Sequence, residues 1–147
     1  MQLIAVVNGP NLNLLGSREP AIYGEATWEE IRKGMEEKAR EIGVELEFFQ
    51  SNHEGAVIDH LQELAVRAQG LIINPGALSH YSYCLRDALA SLNLPVIEVH
   101  ITNIYAREEW RSHSVMSSVV KGVISGLGSY GYEMALLALS EWMKTGG

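Results

Sequence analysis

Glu98 and His100 stand two residues apart in the run PVIEVH, so on a strand their side chains leave the same face. A carboxylate beside an imidazole favours the imidazolium and can fix its tautomer, which makes a proton donor at neutral pH. From spacing alone, a strand-end histidine in water is an equal reading. Tyr23 is a candidate base at the end of the stretch NGPNLNLLGSREPAIYG (residues 8–24). An ordinary phenol is only about 0.1% phenolate at pH 7, and raising that share about a hundredfold takes roughly 2.7 kcal/mol from a neighbour. Arg18, on the same stretch, is the cation at hand; without it, Tyr-Gly before a helix reads as packing. Asn11 and Asn74 can donate to an oxyanion or bind hydroxyls, although an Asn beside Pro or Gly is also an ordinary turn former. His80 and Asp87 are seven apart, on one face of a predicted helix and its approach. They suit a hydroxyl and a carboxylate, or a solvated face. Arg111, among Arg107, Glu108 and Glu109, is either half of a surface ion pair or a fork for a substrate carboxylate.

Short apolar runs alternating with amphipathic patterns must position these groups. Leu3–Val7 reads as strand one. Thr27–Ile42 reads as a helix, with a capping box at Thr27 and Glu30, an apolar face through Ile31, Met35, Ala39 and Ile42, and a stop at Gly43. Val44–Gln50 is strand two. Ser51 with Glu54 is a second capping-box signal, before a helical period over Ala56–Arg67. Gly70–Ile73 is strand three, ended by Asn74-Pro75-Gly76. Ser79–Leu92 reads as one helix, and Pro95 forbids its continuation. Val96–Val99 is strand four, His100–Ser117 a polar loop or short helix, Lys121–Leu127 a weaker fifth strand, and Tyr132–Lys144 the closing helix. Alternation of this kind predicts an α/β three-layer sandwich with a five-stranded parallel sheet. The flavodoxin-like order 2-1-3-4-5 fits, with ligands bound outside the carboxyl ends of the strands. Residues 8–24 form a connection far longer than the roughly 2–6 residues usual in such units, so this loop belongs over the site.

Bulk properties bound the function. The 147 residues suit one domain, 1–147, and 47% hydrophobic residues exclude disorder. A net charge of -7 argues against nucleic acid and anionic membranes as partners. No apolar run reaches membrane-span length, and the N-terminus lacks the basic region of a signal peptide. A cytoplasmic protein is expected. Cys84, the single cysteine, excludes an internal disulfide and reads as core. The five histidines lack metal-ligand spacing. The first loop has neither phosphate-cradle spacing nor the hydroxyls a flavin phosphate would want, and no lysine is placed for an imine. The residues alone therefore define a cofactor-free, anion-accepting pocket. A lyase or hydratase using these residues and a flavodoxin-like binding or signalling domain both fit such a pocket. A phospho-receiver is disfavoured, because strand three ends in Asn74 rather than Asp.

The stretches NGPNLNLLGSREPAIYG, SNHEG, INPGALSHYS, LRDAL, IEVHITN, AREEWRSHS and KGVISGLGSYGY, spread from about Leu3 to Leu139, together resemble the type II 3-dehydroquinate dehydratases. The resemblance implies a flavodoxin-like subunit in a homododecamer, a tetramer of trimers. It implies conversion of 3-dehydroquinate to 3-dehydroshikimate by anti elimination through an enolate, with no cofactor or metal, in the shikimate pathway or quinate catabolism. Tyr23 would match the base, Arg18 the lid arginine that favours the tyrosinate, and Asn11 the group that stabilises the enolate. His100 would match the acid and Glu98 the group that orients it. Asn74, His80, Asp87, Ile101, Thr102 and Arg111 would match the substrate contacts. Thr102 stands where the family often has Ser, and Leu78 and Tyr81 flank His80 where an aromatic and a Thr are frequent.

Overall fold

A computed structural model describes residues 1–146; Gly147 lies outside the described residues. Five parallel strands carry the chain: β1 (Leu3–Asn8), β2 (Glu45–Gln50), β3 (Gly70–Asn74), β4 (Val96–His100) and β5 (Gly122–Ser125). Their spatial order is β2-β1-β3-β4-β5, as the alternation predicts. The helices are α1 (Pro20–Tyr23, a single turn), α2 (Trp28–Ile42), α3 (Glu54–Leu64), α4 (Tyr83–Ala90) and α5 (Tyr130–Thr145). β1 is apolar from Ile4 to Val7, and all four side chains are fully buried, as a strand covered on both faces requires. Ile4 and Val6 enter a core with α2 and α5, through Met35, Tyr132 and Leu136. Ala5 and Val7 enter a second core with α3 and α4, through Val57, Leu61, Leu85 and Leu89. The chain leaves β1 for β2 on one side and returns to β3 on the other. The register partners Asn8 and Asn74 therefore end the two strands at the switch point.

Local chemistry explains where the elements begin and end. Thr27 Oγ1 accepts from the Glu30 amide at 3.2 Å, and Gly43 closes α2 at φ 77°. At α3 the expected box does not form. Ser51 Oγ accepts from the His53 amide at 3.0 Å, the helix starts at Glu54, and the Glu54 carboxylate accepts from the Ser82 hydroxyl. α3 also stops at Leu64, short of Arg67, whose guanidinium turns back to the Glu47 carboxylate at 2.8 Å. Residues 79–92 are not one helix. A 3-10 turn over Gly76–His80 is followed by a break, and Ser82 caps the fresh start of α4 by accepting from the Leu85 amide at 3.2 Å. This new start turns Cys84 outward, so it is exposed rather than core. The opening loop contains a 3-10 turn (Leu12–Leu14) and α1, where Pro20 supplies the preset φ of a helix start. Residues 101–119 are three further 3-10 turns joined by loop. Among the described residues, no helix is long and apolar enough to cross a membrane.

Candidate active site

The cleft opens at the carboxyl ends of β1, β3 and β4. Its position starts with a close approach: the Gly9 amide donates to Asn74 O at 2.8 Å, and a Cβ on Gly9 would lie 2.5 Å from Pro75 O. Only glycine lets the loops after β1 and β3 meet there. Asn11 follows at φ 71°, a conformation Asn tolerates better than most residues. Its amide donates to Asn52 Oδ1 at 2.9 Å, and Gln50 Nε2 donates to Gly9 O and to Asn52 Oδ1, each at 3.2 Å. The stretch after β2 thus braces the root of the opening loop.

From that root the loop crosses the cleft. α1 delivers Tyr23, which packs partly against the core under α2 and also lines the cleft. The two sequence readings of Tyr23, packing and chemistry, are therefore compatible. The Arg18 guanidinium lies 4.7 Å from the centre of its ring, and that of Arg107 lies 5.1 Å from it. Arg107, which sequence reasoning left among the neighbours of Arg111, also donates to Thr102 Oγ1 at 3.2 Å. Tyr132 offers a contrast. Burial pushes its phenol well above the usual tyrosine value, and the bonds to Asn74 and Asn8 oppose this only in part. It stays protonated, donating to Asn8 Oδ1 at 2.8 Å and accepting from Asn74 Nδ2 at 3.0 Å. The Gly76 amide, which can only donate, fixes Asn74 Oδ1 at 3.2 Å, so the group this side chain has left for the cleft is its second amide proton.

β4 brings the acid. Glu98 is fully buried behind His100 and accepts from His100 Nε2. It also accepts from Ser114 Oγ and Ser117 Oγ, each at 2.8 Å. Burial alone would raise the Glu98 carboxyl; His100, Ser117 and Ser114 outweigh it and hold the group below its ordinary value. His100 is 5% exposed and lines the cleft. With Nε2 held by Glu98, Nδ1 is the ring nitrogen left for a ligand. The His80 ring lies near-parallel to that of His100, 6.4 Å away, and His80 Nδ1 bonds the His113 carbonyl at 2.7 Å. A carbonyl only accepts, so Nδ1 carries the proton and neutral His80 keeps a lone pair on Nε2. Burial pushes His80 below its ordinary value; the His113 carbonyl opposes this, and the charges of His100 and Arg111 add to it.

These shifts predict an acid-labile fold. His80 and His60, the latter also lowered by burial, are proton-poor when folded and take up protons on unfolding as pH falls below about 6.5. Glu98, depressed when folded, stabilises above about pH 4.5, and that contribution is lost as pH falls through its folded value. Both effects run in one direction. The melting temperature is expected to fall from about pH 6.5 downward and more steeply below about 4.5; a Tm flat across this range contradicts the assignment.

The cleft, about 540 Å³, is lined by Asn11, Arg18, Tyr23, Asn74, His80, His100, Ile101, Thr102, Arg107 and Arg111, among others. Nine of the expected site residues are thus brought to one space, and Glu98 supports it from behind. Asp87 is not brought there. The break before α4 takes it off any face shared with His80, and its side chain is 76% exposed and paired with Arg86. Arg111 combines both of its sequence readings: it lines the cleft and bonds the Glu108 carboxylate at 2.7 Å. Sequence reasoning missed Arg107, Ser114 and Ser117, whose partners come from other parts of the chain. Among the described residues, no group of three or more His, Cys, Asp or Glu is placed to hold a metal.

A flavodoxin-like sheet thus carries a buried Glu–His pair, guanidiniums and a tyrosine around a small polar cleft, groups able to donate and accept protons. Comparison with known proteins gives the family. The model of class II dehydroquinases matches residues 2–140, and the chain belongs to that family, which makes it a hydro-lyase. It is 53% identical to a 3-dehydroquinate dehydratase of Bacillus mycoides over 144 residues, 98% of this chain and 99% of that one. The crystal structure of a type II dehydroquinase from Butyrivibrio crossotus matches with a TM-score of 0.92 at 48% identity, covering 94% of this chain and 97% of that one. A 3-dehydroquinate dehydratase-like protein from Bifidobacterium longum matches with a TM-score of 0.75 at 32% identity, covering 98% and 99%.

Proposed function

We propose that this chain dehydrates 3-dehydroquinate to 3-dehydroshikimate by anti elimination through an enolate, without cofactor. The observation that carries the reading is one cleft lined by Tyr23, with guanidiniums at 4.7 and 5.1 Å from its ring, and by His100 held from behind by a buried carboxylate. Tyr23, as phenolate, takes the proton α to the ketone, and the flanking charges of Arg18 and Arg107 stabilise the anion that a base must be. Asn11 stabilises the enolate oxygen. The C–O bond then breaks as His100 gives its proton to the departing hydroxyl, which leaves as water. The proton on Tyr23 and the one lost by His100 balance, so exchange with solvent resets both. Glu98 stabilises the imidazolium before transfer. Arg111 binds the substrate carboxylate, and Asn74, His80, Ile101 and Thr102 bind the remaining polar groups. The test is direct: 3-dehydroquinate is added with no metal or cofactor, and the ultraviolet absorbance of the conjugated enone is followed. No rise with folded protein overturns the reading.

The same reading assigns the reaction to the cytoplasm, in the shikimate pathway or in quinate breakdown. The assembly is a dodecamer of four trimers. Apolar side chains exposed on the β5–α5 edge support it: Val123 at 40%, Leu127 at 54%, Tyr130 at 68% and Met134 at 45% exposed. Asp87, outside its own cleft, then contributes to substrate binding only across an interface between copies. Light scattering should give a mass about twelve times that of the chain; a monomer mass contradicts this assembly.

A further inference from the structure

Segment 113–117 is anchored at its centre and faces the site on both sides. Met116 is fully buried in the core with Leu85, Leu89 and Val96. The Val115 amide donates to Ser79 O at 2.7 Å, and the Met116 amide donates to Ser114 Oγ at 3.2 Å. From this clamped backbone, three polar groups reach the two site histidines or the carboxylate behind them. The His113 carbonyl takes the proton of His80 Nδ1, and the Ser114 and Ser117 hydroxyls donate to Glu98 Oε2 and Oε1.

Each of these partners has one possible direction. A carbonyl only accepts, so the first bond fixes His80 with its lone pair on Nε2. An ionised carboxylate only accepts, so Glu98 must receive a proton from His100 Nε2, leaving Nδ1 of that ring for the ligand. We propose that segment 113–117 is the positioning element of the active site: it fixes which nitrogen of each histidine carries the proton, with Ser117 and Ser114 acting on His100 through Glu98. The inference rests on the reading of His100 as the acid.

Ser117 carries the greater share. Oε2 is shared by His100 and Ser114, whereas Oε1 has Ser117 as its hydrogen-bond partner. Without that hydroxyl, a fully buried carboxylate oxygen loses the donor that favours its charged form. The carboxyl then takes up a proton at higher pH and releases its hold on the imidazolium. The titratable groups that act on Glu98 are His100 on its own strand and His80 across the cleft, with Arg111 acting on His80 in turn. Neither serine lines the cleft, so substrate binding has no direct reason to change.

The experiment compares wild type with Ser117→Ala, Ser117→Thr and Ser114→Ala in steady-state kinetics from about pH 5 to 9, with 15N-histidine NMR of the same proteins. Ser117→Ala should lower kcat about tenfold and leave KM within about twofold. It should also move the acid limb of the kcat profile up by about one pH unit. Ser117→Thr, which keeps the hydroxyl, should restore both. In the spectra, the neutral form of His100 should be the Nε2–H tautomer in wild type and a mixture in Ser117→Ala. An unmoved acid limb and tautomer, an effect confined to KM, or a threonine variant as impaired as alanine overturns the proposal. If Ser117→Ala does not fold, Ser114→Ala carries the same readouts with a smaller shift. If wild type does not turn over 3-dehydroquinate, the dehydratase reading fails, while the histidine spectra still decide this proposal.

Discussion

Alanine at His100 is expected to lower kcat by about 10²–10⁴-fold, the usual range for removing a positioned general acid. Hydroxide is a poor leaving group, and no second donor stands in the place of His100 Nδ1. The Nε2 of His80, the neighbouring ring, presents a lone pair, because Nδ1 is committed to the His113 carbonyl. The same substitution leaves the fully buried Glu98 carboxylate with two serine donors and without its imidazole partner. Breaking a buried pair from one side costs about 3 kcal/mol or more, so the melting temperature should fall as well. A double variant separates the effects. Glu98→Gln with His100→Ala removes the stranded charge and should recover much of the stability while leaving kcat at the level of the single variant. Circular dichroism establishes folding, the enone assay gives kcat, and recovery of turnover in the double variant would mean that His100 is not the acid.

The parts of the site that the sequence made legible are those whose chemistry is local. Glu98 and His100 share a strand face by a spacing of two, and a strand fixes that geometry whatever surrounds it. β1 and β3 are apolar runs ended by polar residues, and a parallel sheet puts such ends on one edge. Thr27 and Gly43 bound α2 through contacts within four residues. Interactions between distant residues were not legible. Ser114 and Ser117 are 16 and 19 residues from Glu98, Tyr132 is 124 residues from Asn8, and no periodicity links either set. Arg107 looked like any loop arginine until the fold brought α1 beneath it. The misreading of residues 79–92 has a definite cause. Leu85, Ala88, Leu89 and Leu92 keep a helical period, and nothing in that period shows that Ser82 will cap a new start rather than sit inside the helix. The misreading bears on the site, because one continuous helix would put Asp87 on one face with His80, whereas the break separates them into two elements.

Phenylalanine at Tyr23 is the sharpest test of the chemistry, because it removes one oxygen and leaves the rest in place. The ring packs partly against the core under α2, and the guanidiniums of Arg18 and Arg107 lie over it. A phenyl ring keeps both the packing and the cation–π attraction, the latter worth about 0.5–1 kcal/mol at such sites. Stability should therefore change by less than about 1 kcal/mol, and KM by no more than a few-fold. Turnover should fall by about 10²–10⁴-fold or more, since, among the described residues, no second phenol lines the cleft to take the place of Tyr23. Asn11 and Asn74 do not ionise, Arg18, Arg107 and Arg111 stay charged, and the lone pair on His80 Nε2 is a weakened base, because burial first and then the charges of His100 and Arg111 disfavour its protonation. Tyr132, the other phenol near the switch point, is fully buried, and burial keeps it protonated against the opposing bonds to Asn74 and Asn8. A Tyr23→Phe enzyme with near-normal kcat would remove Tyr23 from the base position. The two guanidiniums would then be read as substrate-carboxylate partners rather than as the charges that make a phenol basic.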